Sequence, residues 1–254
     1  MSRHISVTII THNEGDRIEA CLKSVEPIAD EIVVVDSFST DFTADICRRH
    51  GCRVVSRSFE GFGQQRQFAT SLTKHSYVLS IDADEVLSPA LAASIKKEKE
   101  KGFVHRVYTM ARLNFFCGQP VRHCGWYPDC QVRLFDKRYA NWNMHSVDER
   151  VVFPPGLQPC RLDGDILHYR CSTQAQYARV RLRQAALASV QIADKNGYIT
   201  PLTPLLKGVS AYLKMYLGEQ AVLDGAEGRA ISRISFLSTY TAWRLARKHR
   251  KQKD

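Results

Sequence analysis

Strand-like and helix-like segments alternate through the N-terminal part of the chain, and this alternation constrains the fold more than any other feature. The β-branched, apolar runs that predict strands are residues 5–10, 31–35, 53–56 and 77–81. Segments with helical spacing follow each of them, at residues 17–25, 43–50, 64–73 and 89–101. Because parallel strands are joined by crossover helices, we predict an α/β fold with a mainly parallel, Rossmann-like sheet and helices on both faces.

The pattern changes after Gly102. Strand-like runs at residues 104–110 and 131–135 flank a stretch rich in Gly, Pro, Cys and aromatic residues, and apolar residues then recur at helical spacing in residues 174–196, 202–223 and 229–250. We therefore predict an α/β domain over residues 1–172, with halves 1–102 and 103–172. A helical C-terminal region with a basic tail is expected over residues 173–254.

An acidic tetrapeptide, Asp82-Ala83-Asp84-Glu85, directly follows the predicted strand 77–81. In open α/β sheets the carboxyl ends of the strands form the edge at which ligands bind. Two carboxylates in an Asp-x-Asp arrangement can share one divalent cation and the diphosphate that it carries. The alternative is that these carboxylates are polar only because loops are polar.

Two further strand ends are also polar. Thr11, Asn13 and Glu14 follow the first strand, and Asp36 follows the second. These groups could contact a base and ribose, whereas Asn13 or Asp16 could instead cap the helix that starts near Arg17. Capping does not explain why several carboxylates crowd one sheet edge, where they would repel one another without a ligand or cation.

Composition limits the class of protein. The chain has 36 Lys and Arg against 26 Asp and Glu, a formal net charge of +10, which favours an anionic partner. We find no apolar run long enough to cross a bilayer and no signal peptide, so we expect a cytoplasmic protein. The eight cysteines form no CxxC pair and are expected to be reduced thiols, and the spacing of Cys117, His123, Cys124 and Cys130 fits no common zinc module.

Several of these motifs together resemble inverting glycosyltransferases of family 2, which have the nucleotide-binding GT-A fold. The resemblance covers most of the chain and is closest to the branch that adds glucose to the inner-core heptose of lipopolysaccharide. It rests on Thr11 to Glu14, Asp36 to Asp41, Gly63 to Ala69, Asp82 to Glu85, Gly125 to Asp129, Arg133 to Phe135, His168-Tyr169 and Leu223 to Gly225.

The resemblance implies roles for the polar residues of the first half. This half would bind the nucleotide sugar, for which the resemblance implies UDP-glucose, and residues 103–172 would face the acceptor. Asp84 would be the principal ligand of Mg²⁺ or Mn²⁺, with Asp82 at the ribose or at a metal-bound water. The donor-binding set is Thr11, Asn13, Glu14, Asp36, Arg66 and Asp82.

The histidines leave two alternatives open. His168 ends an apolar run near the inferred site and is a candidate for contacting the metal or the diphosphate. His145 is more readily explained as a hydrogen-bonded structural residue. The metal-binding set is therefore Asp84, Asp82 and His168.

An inverting transferase also needs a base to deprotonate the acceptor hydroxyl. Glu149 is our first candidate, because Val147-Asp148-Glu149 lies where related sequences commonly have Val-His-Glu. Asp148, which replaces that histidine, is a second candidate. Asp129 is a third, although its position after Trp126-Tyr127-Pro128 fits acceptor binding better.

The expected partners are a UDP-sugar, a lipopolysaccharide core or other glycolipid acceptor, and the anionic surface of the inner membrane at its cytoplasmic face. Residues 231–243 and the basic tail 244–253 look like an interfacial helix beside a basic patch, or else a packed helix with a solvated tail. One alternative is a family 2 transferase acting on a polyprenyl phosphate or another glycan. A nucleic-acid-binding protein is the alternative of another class, but no binding module supports it.

Overall fold

The computed structural model describes residues 4–144, 149–195 and 198–251. The strands are β1 (Ile5–Thr11), β2 (Glu31–Asp36), β3 (Arg53–Ser56), β4 (Tyr77–Asp82), β5 (Glu85–Leu87), β6 (Val107–Phe116), β7 (Gln119–Val121), β8 (Asp129–Asp136), β9 (Asn141–Trp142), β10 (Val151–Val152) and β11 (Cys160–Cys171). The α-helices are α1 (Ile18–Val25), α2 (Thr43–Arg49), α3 (Phe62–Ser71), α4 (Pro89–Glu100), α5 (Gln174–Lys195), α6 (Thr203–Leu213) and α7 (Gly225–Lys251). A turn of π-helix, Lys214–Gly218, and a 3₁₀ segment, Ala221–Asp224, lie between α6 and α7.

The main sheet has the strand order β3-β2-β1-β4-β8-β6-β11-β5. Its first four strands are parallel, with β1 between β2 and β4. Strand β8 pairs antiparallel with both β4 and β6, and β5 pairs antiparallel with β11. The predicted α/β class is therefore confirmed, with the parallel strands in the N-terminal part of the chain and antiparallel pairs extending the sheet.

The parallel strands are buried on both faces because their residues are almost all apolar. Ile5, Val7 and Ile9 of β1 are buried, as are Leu79 and Ile81 of β4. They join the apolar sides of α1 and α4 in one core. This packing fixes the carboxyl ends of β1, β2 and β4 side by side.

The chain divides into two compact units. The N-terminal unit comprises the residues up to Arg112 together with Asp129–His168, and the C-terminal unit comprises Leu113–Pro128 and the residues from Tyr169 onward. The predicted division at residue 172 stays a prediction. All eight cysteines are free thiols.

The C-terminal unit is built on α7, which packs against α5 and α6. Its apolar side is inside the unit: Ile231, Ile234, Ala242 and Ala246 are buried. The segment 231–243 therefore packs its apolar side inside the unit, as in the packed-helix alternative, while Leu237 on it is exposed. A role for this segment at a membrane surface stays a prediction. Among the helices that the structure describes, none is long and apolar enough to cross a bilayer.

Candidate active site

A cleft of about 350 Å³ opens at the carboxyl ends of β1 and β4, within the N-terminal unit. It forms where the parallel strands end and their connecting loops diverge, which is the usual ligand position in such sheets. Predicted site residues and aromatic side chains share its wall. The lining residues are Ile10, Thr11, His12, Glu14, Ser37, Phe59, Phe62, Gln65, Arg66, Asp82, Ala83, Asp84 and His168.

The loops after β1 and β2 are tied together beside this cleft. Asn13, in a left-handed backbone conformation, accepts a hydrogen bond from the Thr40 amide through its side-chain oxygen (2.8 Å), and its own amide donates to Ser39 Oγ (2.8 Å). Asp36, buried at the end of β2, accepts a bond from the Ser39 amide (2.9 Å). Asn13 and Asp36 therefore hold the loop that Ser37 begins.

Helix α1 does not use the caps considered for it. Its N-terminal flanking residue is Arg17, with no side-chain capping hydrogen bond. The side-chain oxygen of Asn13 instead accepts the bond from the Thr40 amide. A carboxylate from the neighbouring loop supports this turn: Asp41 accepts bonds from the amides of Gly15 and Thr43, both 3.0 Å long. The Thr43 hydroxyl also donates to Asp41 Oδ1, and this bond, together with those from the Gly15 and Thr43 amides, lowers the pKa of Asp41.

Arg66 joins two of the predicted carboxylates. Its guanidinium, buried on α3, donates to Asp82 Oδ1 at 2.6 Å and to Glu149 Oε1. It also lies over the Trp142 ring, 4.7 Å from the ring centre. The structure therefore brings together the residue expected at the ribose and the first candidate for the base.

Arg133, on β8, holds the other side of Asp82. Its Nη2 lies 3.3 Å from Asp82 Oδ2 and 3.1 Å from Glu85 Oε1. Burial alone would raise the pKa of Asp82, but the guanidiniums of Arg66 and Arg133 hold it well below its usual value. Burial would likewise lower the pKa of Arg133, yet Glu85 and Asp82 raise it. Asp82 is thus ionised, with both oxygens engaged.

Asp129 has an arginine partner of its own. Arg112, on β6, donates to Asp129 Oδ2 through Nε (2.9 Å) and Nη2 (2.6 Å), and its Nη1 lies 3.4 Å from the buried Glu85. Gln131 donates a further bond to Asp129 Oδ1 at 2.6 Å. Glu85, for which the sequence pattern indicates no role, therefore pairs with two arginines, Arg112 and Arg133.

Asp84 lies in the turn between β4 and β5 and faces His168 of β11. The distance from Asp84 Oδ2 to His168 Nε2 is 3.4 Å, and both side chains line the cleft. The position of His168 follows from strand pairing, since His168 is opposite Glu85 in the β5–β11 register.

A carboxylate and an imidazole fit a divalent cation, because such ions in nucleotide sites take few protein ligands and complete their shell with phosphate oxygens. Within the described residues, no three His, Cys, Asp or Glu side chains group as a complete metal site. Asp84 and His168 form such a carboxylate and imidazole pair in the cleft wall, whereas both oxygens of Asp82 are held by arginines.

Glu14 is the remaining carboxylate of the cleft wall. Burial raises its pKa above the usual value, and the nearby Asp84 and Asp41 charges act in the same direction, against Arg17. Its backbone amide donates to Thr43 Oγ1 at 2.9 Å, which fixes the residue against the second loop.

A second, smaller pocket of about 240 Å³ lies beside these paired arginines and carboxylates, still within the N-terminal unit. It is lined by Arg66, Asp82, Arg112, Gln131, Arg133, Trp142 and Glu149. Several buried donors around it have no partner in the part of the chain that the structure describes: Arg133 Nε and Nη1, Arg66 Nε and Trp142 Nε1. The candidate base Asp148, and His145, lie outside the described residues.

The sequence reasoning missed Arg112 and Trp142, and it quoted Arg133 only as part of a motif. No local signal marks Arg112 or Trp142, because their partners are distant in the chain. The buried position of Arg133 within an apolar strand was the one available signal, since a buried arginine needs a partner charge.

The model of glycosyl transferase family 2 matches residues 6–146, which is more than half of the chain. The chain therefore belongs to glycosyl transferase family 2 and is a glycosyltransferase. The matched span includes Asp36, Arg66, Asp82 and Asp84, all of which lie in or beside the cleft.

Relatives agree with this membership. An uncharacterized glycosyltransferase of Rickettsia conorii is 44% identical over 149 residues, covering 56% of this chain and 51% of that protein. The lipopolysaccharide core biosynthesis glycosyltransferase LpsC of Rhizobium meliloti is 27% identical over 176 residues, covering 65% of this chain and 63% of that protein. The chain spans a third to about half of the length of the Rickettsia relatives (33% and 51% in two of them).

Among solved structures, glucosyl-3-phosphoglycerate synthase from Mycobacterium tuberculosis in complex with Mn²⁺, UDP-glucose and phosphoglyceric acid matches with 26% identity and a TM-score of 0.37. That match covers 44% of each chain.

Proposed function

We propose that this glycosyltransferase is metal-dependent and inverting, and that it transfers glucose from UDP-glucose to an inner-core heptose of lipopolysaccharide. The observation that carries the proposal is the cleft at the carboxyl ends of β1 and β4, whose wall combines hydroxyl, carboxylate and imidazole groups. The choice of acceptor is supported by the likeness to LpsC, a lipopolysaccharide core enzyme.

The nucleoside fits the side of the cleft next to the tied loops. Thr11 is buried there with its hydroxyl oxygen unpartnered in the described chain, and Glu14 lies beside it. Phe59 and Phe62 are exposed aromatic side chains in the same wall and offer apolar surface to a base. Asn13 and Asp36 act by holding the loop that completes this side.

The diphosphate fits next to Asp84 and His168, which would hold Mg²⁺ or Mn²⁺ together with the phosphate oxygens. The chemistry that such a cation supplies is stabilisation of the negative charge that grows on the leaving diphosphate. Asp82 would contribute to this side of the cleft indirectly, because it orients the guanidinium of Arg66.

The acceptor fits the smaller pocket, where Glu149 is our candidate for the base. Arg133 and Trp142 have donors without a partner among the described residues, and these can bind sugar hydroxyl oxygens. The Glu149 carboxylate can accept the proton of the attacking hydroxyl. Arg66 holds Glu149 and Asp82 at once, which positions the base beside the donor cleft. Asp129 and Asp148 are the alternatives.

The acceptor is a glycolipid, so we propose that the protein works at the cytoplasmic face of the inner membrane. The net charge of +10 supports attraction to its anionic lipids.

The proposal is tested by Asp84→Asn. We expect this variant to fold normally but to lose transfer from UDP-glucose to purified inner-core lipopolysaccharide, together with the Mn²⁺-dependent part of the rise in melting temperature that UDP-glucose causes. Asp163→Asn is the control, because it removes the same charge from an exposed position on β11. A folded Asp84→Asn protein with normal turnover would show that Asp84 does not serve the cation.

A further inference from the structure

Helix α6 and the π-helical turn after it present a row of exposed apolar side chains. Each of the following is at least 41% exposed: Leu202, Leu205, Leu206, Val209, Leu213 and Leu217. Their spacing of three to four residues puts them on one helix face. Monomeric soluble proteins rarely leave such a continuous row in water, so this face indicates a contact surface.

The opposite side of α6 fixes this orientation. Pro204 and Gly208 are buried there, and α7 packs directly on them. A Cβ atom added at Gly208 would lie 3.0 Å from the Phe236 ring and 3.3 Å from Tyr240 Cβ, so the glycine permits the close approach. The exposed row cannot turn inward without separating the two helices.

The charged side chains within the segment that carries the row are all of one sign, and the acidic residue that follows it, Glu219, lies against Gly125. Residues 199–218 contain no Asp or Glu, and the charged side chains among them are Lys207 and Lys214. Lys207 Nζ lies 5.2 Å from the centre of the Trp243 ring on α7, next to the turn that carries Arg244 and Lys248. An apolar face with a cationic border is complementary to an anionic lipid surface.

We propose that the apolar face of α6 inserts into the interface of a membrane that contains anionic lipid, with Lys207, Lys214 and the basic end of α7 at the headgroups. The sequence pattern suggested residues 231–243 of α7 as the apolar membrane contact. In this proposal α6 contributes the apolar contact, and α7 contributes only positive charge. The inference rests on the proposed function, whose lipid-anchored acceptor supplies the reason for docking.

The test compares vesicle binding of two double variants of the full chain. Leu206→Ser with Leu213→Ser removes two members of the exposed row, and Val104→Ser with Val152→Ser removes two exposed apolar residues of the N-terminal unit as the control. We expect the first variant to lose at least about tenfold in partitioning onto phosphatidylglycerol-containing vesicles. The control should bind like the natural protein, and neither variant should change the rise in melting temperature caused by UDP-glucose.

Three results would overturn the inference: no binding of the natural protein to these vesicles, equal binding of both variants, or a dimer in solution that Leu206→Ser with Leu213→Ser converts to monomer. The dimer result would assign the face to a second copy of the chain. Absence of a UDP-glucose effect in protein that still binds vesicles through α6 would instead contradict the proposed function and leave the membrane face standing.

Discussion

At the scale of single residues, Arg66 joins the carboxylate at the cleft to the candidate base. It is buried, it donates to Asp82 and Glu149, and it lies over Trp142. A buried guanidinium needs compensating charge, and both carboxylates supply it. The same contacts fix those carboxylates in place, so the geometry of the proposed base depends on a residue that need not touch the acceptor.

Glu149→Gln should reduce transfer on the order of 100-fold or more, because a positioned base contributes about that much. UDP-glucose affinity should stay within a fewfold of normal, since the Gln amide oxygen can still accept a bond from Arg66. Steady-state transfer rates and calorimetric binding of UDP-glucose measure the two effects.

Asp129→Asn and Asp148→Asn are the matched controls for that experiment. Asp129→Asn removes one charge from the neighbouring pair with Arg112, and Asp148→Asn removes one from the adjacent position in the chain. We expect a smaller loss of transfer in each. Inactivity of either one, with an active Glu149→Gln enzyme, would move the role of the base to that residue.

Asp136 leads to a prediction of how the stability of the protein depends on pH. It is fully buried at the end of β8, and although burial opposes ionisation, its bonds to Arg138 and Arg106 lower its pKa below 3.8. The ionised form is thus favoured in the folded state, so its contribution to stability is complete above the ordinary Asp pKa and is lost as the pH falls through the lowered value.

Asp136→Asn should therefore lower the free energy of unfolding by about 1–3 kcal/mol at pH 7, the usual effect of losing buried charged hydrogen bonds. The difference from the natural protein should shrink as the pH falls below about 4. Urea unfolding at a series of pH values measures it. If the difference in the free energy of unfolding did not change with pH, the charge of the Asp136 carboxylate would not be what stabilises the end of β8.

At the scale of elements, local pattern was enough to predict most of the N-terminal unit. The strands expected at residues 5–10, 31–35 and 77–81 end one residue later in the structure, and the helix expected at 89–101 is α4, Pro89–Glu100. Burial on both faces makes the parallel strands continuous apolar runs, and such runs are readable without knowledge of their partners.

The sequence did not predict the elements and contacts that depend on pairing between distant segments. Strand β5 starts inside the acidic tetrapeptide, because Glu85 pairs with His168 and is buried by Arg112 and Arg133. Helix α6 was expected to continue to residue 223, whereas it ends at Leu213 and gives way to a π-helical turn and a 3₁₀ segment. Asp82, Asp84 and Arg66 line the cleft and their roles stay predictions, while the arginine pairs around them could not be read from spacing.

Gly164 is the point at which β11 lies closest to α4. Its φ is +95°, and an added Cβ atom would be 2.3 Å from the Leu91 backbone nitrogen. Gly164→Ala should therefore cost at least about 3 kcal/mol in the free energy of unfolding, because both backbone strain and a backbone clash oppose the side chain.

Gly156→Ala is the control for this prediction. It has a similar φ of +98°, but no atom lies within 4 Å of the added Cβ, so it reports the strain alone. Thermal and urea unfolding compare the two variants. Equal losses in both would show that the approach of β11 to α4 adds nothing to the cost.

At the scale of the whole molecule, the basic C-terminal end has two separable contributions. Its charges add to the net charge of +10, while Ala246 is buried with Ala193 and Ile199 in a small apolar cluster of the C-terminal unit. Charge and packing therefore lie on different faces of the same helical turn of α7.

Deleting the chain from Arg244 onward should lower the melting temperature by several degrees, because it removes Ala246 from that cluster. Arg244→Gln with Lys248→Gln should leave the melting temperature unchanged but weaken binding to anionic vesicles at low salt, since both side chains are exposed. Calorimetry measures the melting temperature of both variants, and vesicle sedimentation measures their binding to anionic lipid. A truncated protein with the normal melting temperature would show that the tail is only a solvated end.

The shared guanidinium of Arg66 also has a consequence for how mutational effects combine. Asp82→Ala leaves Arg66 with Glu149 alone, and Glu149→Ala leaves it with Asp82 alone, so each change alters what the other costs. Free-energy losses measured for the two single variants should then fail to sum in the double variant, as expected for residues in one ion-pair network. Through one side chain, the carboxylate at the cleft and the proposed base are thus expected to be thermodynamically coupled.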